Sequence, residues 1–424
     1  MQNSLNIDSF ISNYVTKRTK SLLADDFLKY NTELASRING RKVLVIGGAG
    51  TIGSSYIKAI LKFGIKKLVV VDINENGLTE LVRDLRSSTE YQVPDDFITY
   101  PVNFGDRVFE KIFRYHGPFE IVANFAAHKH VRSEKDIFSI ETMIENNVLQ
   151  ARKLLDLLLE FPPEHFFCVS TDKAANPVNI MGASKKLMEE LIMSYADKLP
   201  IKTARFANVA FSNGSLPLGF LERLNKHQPW SCPLGIRRFF VSPQESGELC
   251  LIASIMGESG DIFFPKLDEE RDMIPFDQIA LDLLETLGLT PDICKTEDEA
   301  KQKALLLGPI ALSPNRPVAP SPHLPVAPST TYPIYFFGSE TSGEKAFEEF
   351  YTENEELDND SFINLGVIKN SKKRSIFEID AIFDQLHTLF ETQNVSKAAI
   401  VDILKFYLPN FEHIETGKQL DSKM

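Results

Sequence analysis

At 424 residues the chain is too long for one simple core, which predicts two domains. It is 43% hydrophobic and 25% charged, as folded globular chains are, and 46 Lys and Arg against 58 Asp and Glu leave a net charge of −12. That balance argues against a nucleic-acid partner held by a general positive field, but leaves room for a local basic pocket that takes a phosphorylated small molecule. No apolar run approaches the roughly 18 residues of a membrane span. The opening MQNSLNIDSFISNYVTKRTK has no apolar stretch of the signal-peptide kind. Cys168, Cys232, Cys250 and Cys294 lie far apart with no CxxC spacing, so reduced thiols in a cytoplasmic protein are expected.

Residues 1–40 are polar with apolar residues such as Phe10, Ile11, Tyr14, Leu22 and Leu23 at helical spacing, and predict a helical extension. From Arg41 strand-like runs alternate with helical ones. KVLVIGG, KKLVVVD, DFITYPV, FEIVANFAA, EHFFCVSTD and IKTARFANV are the strand candidates. Such alternation predicts an α/β fold, a Rossmann-like doubly wound parallel sheet over residues 41–213, with ligands at the carboxyl ends of its strands. Beyond Asn213 the alternation weakens, so 214–424 reads as a smaller C-terminal substrate-binding domain, with a strand near 260–265 returning to the sheet. Within it, 309–333 is rich in proline, contains PVAPS twice, and predicts an extended insertion. The acidic run Glu353–Asp360 reads as solvated surface.

GGAGTIGS places Gly47, Gly50 and Gly53 between a strand and a helix. The first suits a tight turn, the second lets backbone approach a pyrophosphate, and the third lets helix meet strand. The helix amino terminus, with Thr51 and Ile52, then presents N–H groups to phosphates. Asp72 ends the next strand, where a carboxylate accepts bonds from adenosine ribose hydroxyls. No arginine follows among Ile73, Asn74 and Glu75 to receive a 2′-phosphate, so NAD is expected over NADP. Asp106 after the third strand is either an adenine contact or a helix N-cap. His128 and His130, at i and i+2 without a Cys or carboxylate partner, make a poor metal site, and no metal is expected.

The glycine spacing, NFAA at 124–127 and the 181/185 pair at the start of a helix together resemble the extended short-chain dehydrogenases/reductases. More narrowly, STDKA at 170–174 and NPVNIMGASKK at 176–186 resemble the UDP-N-acetylglucosamine 4,6-dehydratase family. AAHKHV at 126–131, RFANV at 205–209, RRFFVSPQE at 237–245 and GEKAFEE at 343–349 follow in the same order. The resemblance covers roughly residues 20–360, the proline-rich insertion excepted.

It implies an NAD enzyme that oxidises C4 of a UDP-sugar, eliminates water across C5 and C6, and returns hydride to C6. It implies Ala126 beside the cofactor, and Lys185 as the lysine that holds the nicotinamide ribose. The family's usual tyrosine base is replaced here by Met181, which transfers no proton. One branch of the family shares that methionine, and the resemblance then implies that proton traffic moves to Thr171, Asp172 and Lys173, with Lys129 a further cation at the site. Asn208, Arg237 and Arg238 fall where the family meets the nucleotide sugar, whose phosphates suit an arginine fork. Thr341 and Ser342 stand where relatives carry Arg-Pro before Gly-Glu-Lys. A homodimer or larger homo-oligomer is implied as well. Two other readings are a 4-epimerase of the same fold, which does not need the Asp172–Lys173 pair, and a catalytically silent NAD-binding scaffold.

Overall fold

The computed structural model describes residues 5–129, 134, 136–307, 330–338, 349–369, 371, 373–392 and 395–413. Its strands, in chain order, are β1 Lys42–Ile46, β2 Lys67–Asp72, β3 Asp96–Pro101, β4 Ile121–Asn124, β5 His165–Val169, β6 Ile201–Ala204 and β7 Asn208–Val209. They continue with β8 Trp230–Pro233, β9 Arg237–Val241, β10 Asp261–Pro265, β11 Met273–Pro275, β12 Thr290–Cys294, β13 Thr331–Phe337, β14 Glu356–Asp358 and β15 Leu365–Lys369.

Nine of these form one sheet in the order β14-β15-β10-β6-β5-β4-β1-β2-β3. From β10 through β3 every neighbouring pair is parallel; β15 and β14 extend the far edge antiparallel. The inner strands are continuous apolar runs because helices cover both faces and leave neither side to water. Chain order runs outward from β1 to β3 and then restarts at β4 on β1's other side. The fold is thus a doubly wound Rossmann-type α/β sheet, with its topological switch point between β1 and β4, where a crevice opens at the carboxyl ends.

Two three-stranded sheets complete the fold, β11-β9-β7 and the all-parallel β12-β13-β8. A second hydrophobic cluster, containing Phe211, Phe240, Trp230, Leu283 and Tyr332, lies under them. Chain beyond residue 213 also enters the first core: β10, at the position expected near 260–265, lies in the large sheet with β14 and β15 beside it, and the helices Ile376–Phe390 and Lys397–Tyr407 bury Ile379, Phe383, Ile400 and Leu404 there. The stretch 1–40 is not one unit: Phe10, Ile11 and Val15 enter the second cluster, while Leu34 and Ile38 of helix Ala24–Ile38 enter the first.

The proline-rich stretch needs a correction at its end. Thr331–Pro333 begin β13, the central strand of its sheet, and Tyr332 is fully buried between Trp230 and the neighbouring backbone. Pro333 is tolerated there although it cannot donate to a ladder. Residues 309–329, with both PVAPS copies, lie outside the described residues, as do Thr341, Ser342 and most of GEKAFEE. The four cysteines are free and buried. No helix among the described residues is long and apolar enough to cross a membrane.

Candidate active site

The chain leaves β1 through Gly47 at φ +74°, a left-handed conformation that favours glycine. A Cβ at Gly47 would stand 2.5 Å from the Ala126 nitrogen, and one at Gly53 would stand 2.3 Å from the Gly47 oxygen. Gly50 differs. It is the N-cap of helix Thr51–Ile60, makes no side-chain cap, and an added Cβ would meet only the Gly47 oxygen, at 3.5 Å. The loop is therefore tight beneath and open above, where the first helical N–H groups point outward. Asp72 braces it: one carboxylate oxygen accepts the Ala49 N–H of the loop and the other the Asn74 N–H in the turn after β2, both at 2.9 Å.

A cleft of about 180 Å³ lies over this loop, lined by Gly47, Gly50, Asp72, Asn103, Ala126 and Asn146 among others. Of the residues expected there, Asp106 is exposed, stands at the N-cap position of helix Arg107–His116 without a side-chain cap bond, and does not line this cleft, whereas Asn103 does. Ile52 is turned partly into the core, and the Thr51 hydroxyl accepts the Asn213 N–H at 3.0 Å, tying the loop to the chain after β7.

Beyond β5 the chain forms a single turn, Asp172–Ala174, capped by Thr171. One oxygen of Asp172 accepts three bonds: from the Thr171 hydroxyl at 2.6 Å, the Lys173 N–H at 2.9 Å and the Lys173 ammonium at 3.1 Å. The Asp172 side chain is 3% exposed and that of Lys173 23%, so the pair is a contact ion pair at the edge of solvent. The helix Ile180–Met193 follows, with the Asn179 side chain accepting the Gly182 N–H at 2.7 Å. Met181 and Lys185, four apart, lie one above the other on it, both buried. Lys185 donates to the Val169 carbonyl at 2.7 Å, and burial pulls its pKa below the usual lysine value. Lys129 follows β4 with much of its surface exposed, yet neighbouring chain removes enough water from its ammonium to lower its pKa too.

Asn147 joins the two halves of the site. It accepts the His128 N–H at 2.8 Å and donates to the His128 carbonyl at 3.0 Å and to the Ser184 hydroxyl at 3.1 Å. Asn146 and Asn147 sit in a π-helical turn, Glu145–Leu149, between helices Ile137–Ile144 and Gln150–Glu160. Such wide turns cluster at functional sites. Two consecutive asparagines, poor helix formers, inside an apolar-periodic run were the available signal.

A buried network whose roles the sequence did not show supports the Asp172–Ala174 turn. Glu189, one turn beyond Lys185, accepts from the Ser170 hydroxyl at 2.9 Å and from Arg205 at both oxygens. Arg205 is fully buried and also grips Glu355 through two bonds of 2.9 and 2.8 Å. Burial alone would raise the Glu189 pKa, but the Arg205 charge and donors outweigh it and hold the carboxyl at about 2. Glu355 thus belongs to a buried ion-pair network, although the acidic run containing it reads as solvated.

Among the residues expected to meet a nucleotide sugar, the Asn208 amide reaches the Phe239 carbonyl at 3.4 Å. Arg237 donates to the carbonyls of Glu269 and Met273, and buried Arg238 donates to that of Arg237. A larger cleft of about 830 Å³ opens past the carboxyl end of β10. Asn176, Phe239, Lys266, Arg271, Glu349 and Asn410 line it, whereas Arg237 and Arg238 do not. His130 lies outside the described residues, among which no three metal-ligating side chains cluster.

Comparison with known proteins places this arrangement. Residues 43–305 match the family model described as polysaccharide biosynthesis protein. An uncharacterised membrane protein of Methanocaldococcus jannaschii is 31% identical over 61% of this chain and 77% of its own length. The inverting UDP-N-acetylglucosamine 4,6-dehydratase of Campylobacter jejuni is 26% identical over 54% of this chain and 68% of its own. A UDP-glucose 4-epimerase of Rickettsia conorii is 29% identical over 53% and 66%. The chain spans only 43% and 42% of the polysaccharide biosynthesis relatives from Bacillus subtilis and Staphylococcus aureus. The X-ray structure of Pen from Bacillus thuringiensis superposes with a TM-score of 0.59 at 19% identity, over 82% of this chain and 99% of that one, a likeness of fold. With its matched segment running from β1 past β12 and holding both halves of the site, the chain belongs to the polysaccharide biosynthesis protein family.

Proposed function

We propose that the chain is an NAD-dependent nucleotide-sugar 4,6-dehydratase acting on UDP-N-acetylglucosamine or a close relative. The observation that carries this reading is the Asp172–Lys173 contact pair at the end of β5, beside the switch-point crevice and next to a helix with methionine at 181. An ionised pair in contact is one proton transfer away from a neutral carboxylic acid and a free amine. Those are the two species an elimination needs: the Lys173 amine removes the C5 proton, and the Asp172 carboxyl protonates the C6 hydroxyl as it leaves as water. Thr171 hydrogen-bonds the C4 hydroxyl, and Lys185 holds the nicotinamide ribose while Lys129 adds positive charge nearby.

The residues over the phosphate loop fit NAD. Gly50 leaves room for a pyrophosphate, the helix amino terminus offers it donors, and the Asp72 carboxylate lines the ribose end and repels a 2′-phosphate. NAD held there supplies the hydride acceptor for C4 and the donor for C6. The larger cleft past β10 is where the nucleotide sugar would lie, with Asn208, Arg237 and Arg238 behind its wall. The test is incubation with a panel of UDP-sugars, read by mass spectrometry. Loss of 18 mass units (one water, roughly, by arithmetic of the elimination) is expected, abolished in Lys173→Met with NAD binding retained. Epimerisation without loss of water would favour the second reading, a 4-epimerase, which similarity to the Rickettsia enzyme supports. No change in any UDP-sugar would refute both.

A further inference from the structure

The family match ends at residue 305, yet chain beyond it reaches the catalytic turn. After the helix Lys397–Tyr407 the backbone doubles back, burying Leu408 and Phe411 in the main core. The Glu412 N–H then donates to the Pro177 carbonyl at 3.2 Å, inside the loop that joins the Asp172–Ala174 turn to the helix Ile180–Met193. One residue on, His413 Nε2 stands 3.9 Å from Glu134 Oε2, each side chain only 9% exposed. Glu134 in turn holds the helix: its other oxygen accepts the Met181 N–H at 2.9 Å. That amide is one of the first-turn donors with no partner inside the helix, and a carboxylate there faces the positive end of the helix dipole.

We propose that residues 408–413 are a strap that positions the catalytic turn, with Glu134 as its receptor and His413 as its closing contact. Glu134 and His413 are positioning residues. The Asp172–Lys173 pair stands on one short turn, and the loop after it has no regular structure to fix its path. Three contacts fix it instead. Glu412 holds Pro177, Glu134 holds Met181, and the Asn176 amide donates to Glu349 at 2.9 Å. One of the three is made by the returning chain end itself, and a second by Glu134, which His413 of that end faces. Misplacing an acid–base pair by about 1 Å costs on the order of a hundredfold in rate, so a strap of this kind sets turnover without touching the cofactor loop.

The activity part of this inference rests on the dehydratase reading; the positional part does not. The test uses the full chain with Glu134→Ala, Glu134→Gln, His413→Ala and Phe411→Ala. Amide hydrogen exchange is read by mass spectrometry on peptides covering 172–182 and 43–60, together with NAD titration and kcat and KM on UDP-N-acetylglucosamine. Glu134→Ala and Phe411→Ala should speed exchange across 172–182 about tenfold and lower kcat about tenfold or more, with KM and NAD affinity near wild type. His413→Ala should do the same more weakly. Glu134→Gln, whose amide oxygen still accepts the Met181 N–H, should recover most of the loss seen in Glu134→Ala. Unchanged exchange at 172–182 in Glu134→Ala and His413→Ala would overturn the proposal. So would a rise at 43–60 as large as that at 172–182, which would mark general loss of packing. If the wild type turns over no UDP-sugar, the dehydratase reading falls, and the exchange data alone decide whether the strap stands.

Discussion

Replacing Glu189 by Gln keeps shape and removes one charge from the most deeply buried ion pair among the described residues. Its partner Arg205 is fully enclosed and would retain only Glu355 as a full counter-charge. Two routes give the size of the effect. A carboxyl held at about 2 rather than the ordinary 4.5 favours the ionised folded state by roughly 3 kcal/mol. Removing one partner of a buried pair costs about 3–5 kcal/mol, and the surviving Glu355 argues for the lower end. Both point to about 3 kcal/mol at pH 7. Urea unfolding followed by circular dichroism reads the large sheet, while fluorescence of the single tryptophan, Trp230, reads the second core. The loss should appear in the first signal.

The sign of the pH dependence follows from the depressed pKa. The contribution is complete above the ordinary carboxyl value and disappears as pH falls through about 2, so wild type and Glu189→Gln should converge in acid. Because Ser170 donates to the same carboxylate, turnover should fall as well. A difference under 1 kcal/mol at pH 7 (roughly the worth of a surface pair), or one that persists unchanged to pH 2, would refute the reasoning.

Asp72→Ala should weaken NAD about tenfold and narrow its preference over NADP, since the glycine loop loses one charge-assisted bond, the turn after β2 another and, on the proposed reading, the ribose its acceptor; titration with both oxidised cofactors checks it, and an unchanged ratio counts against the role. Tyr332→Ala should cost about 3–5 kcal/mol, as large aromatic truncations in cores do, and shift Trp230 emission, whereas a surface-loop residue would give neither. Burial, with Lys202 beside it, pushes His165 down to about 3, below the ordinary 6.5. Stability from keeping it neutral is therefore present above pH 6.5 and lost as pH falls toward 3, on the order of 5 kcal/mol in all. His165→Gln should lack that slope in acid-unfolding curves.

The parts of the site that could be read in advance are those whose physics is local. Gly47 needs a left-handed φ and Gly53 a missing Cβ, and both demands show as glycines at fixed offsets after an apolar run. Asp72 ends a strand at the expected distance, and Asp172 and Lys173 stand together in a motif that the family resemblance singled out, while the contact between their side chains comes with the turn that carries them. Asp106 was open between two roles because an exposed acid before a helix has the same local pattern in both. Asn147 and Glu189 were missed for another reason: each looks like an ordinary polar residue on a helix until its partners arrive from elsewhere.

Sequence alone determined the parallel strands and the glycine loop, because periodicity and backbone sterics act over a few residues, and the resemblance of STDKA at 170–174 to a known family pointed to the turn after β5. Tertiary structure decided which strands joined which sheet. β14 and β15 enter the large sheet beyond the expected β10, while β13 carries the end of a proline-rich stretch into the middle of another. It also brought Arg205 to Glu355, 150 residues on, and set His413 near Glu134. Contacts at such separation exist only once loop closure and core packing have fixed both ends, and neither leaves a local trace along the chain.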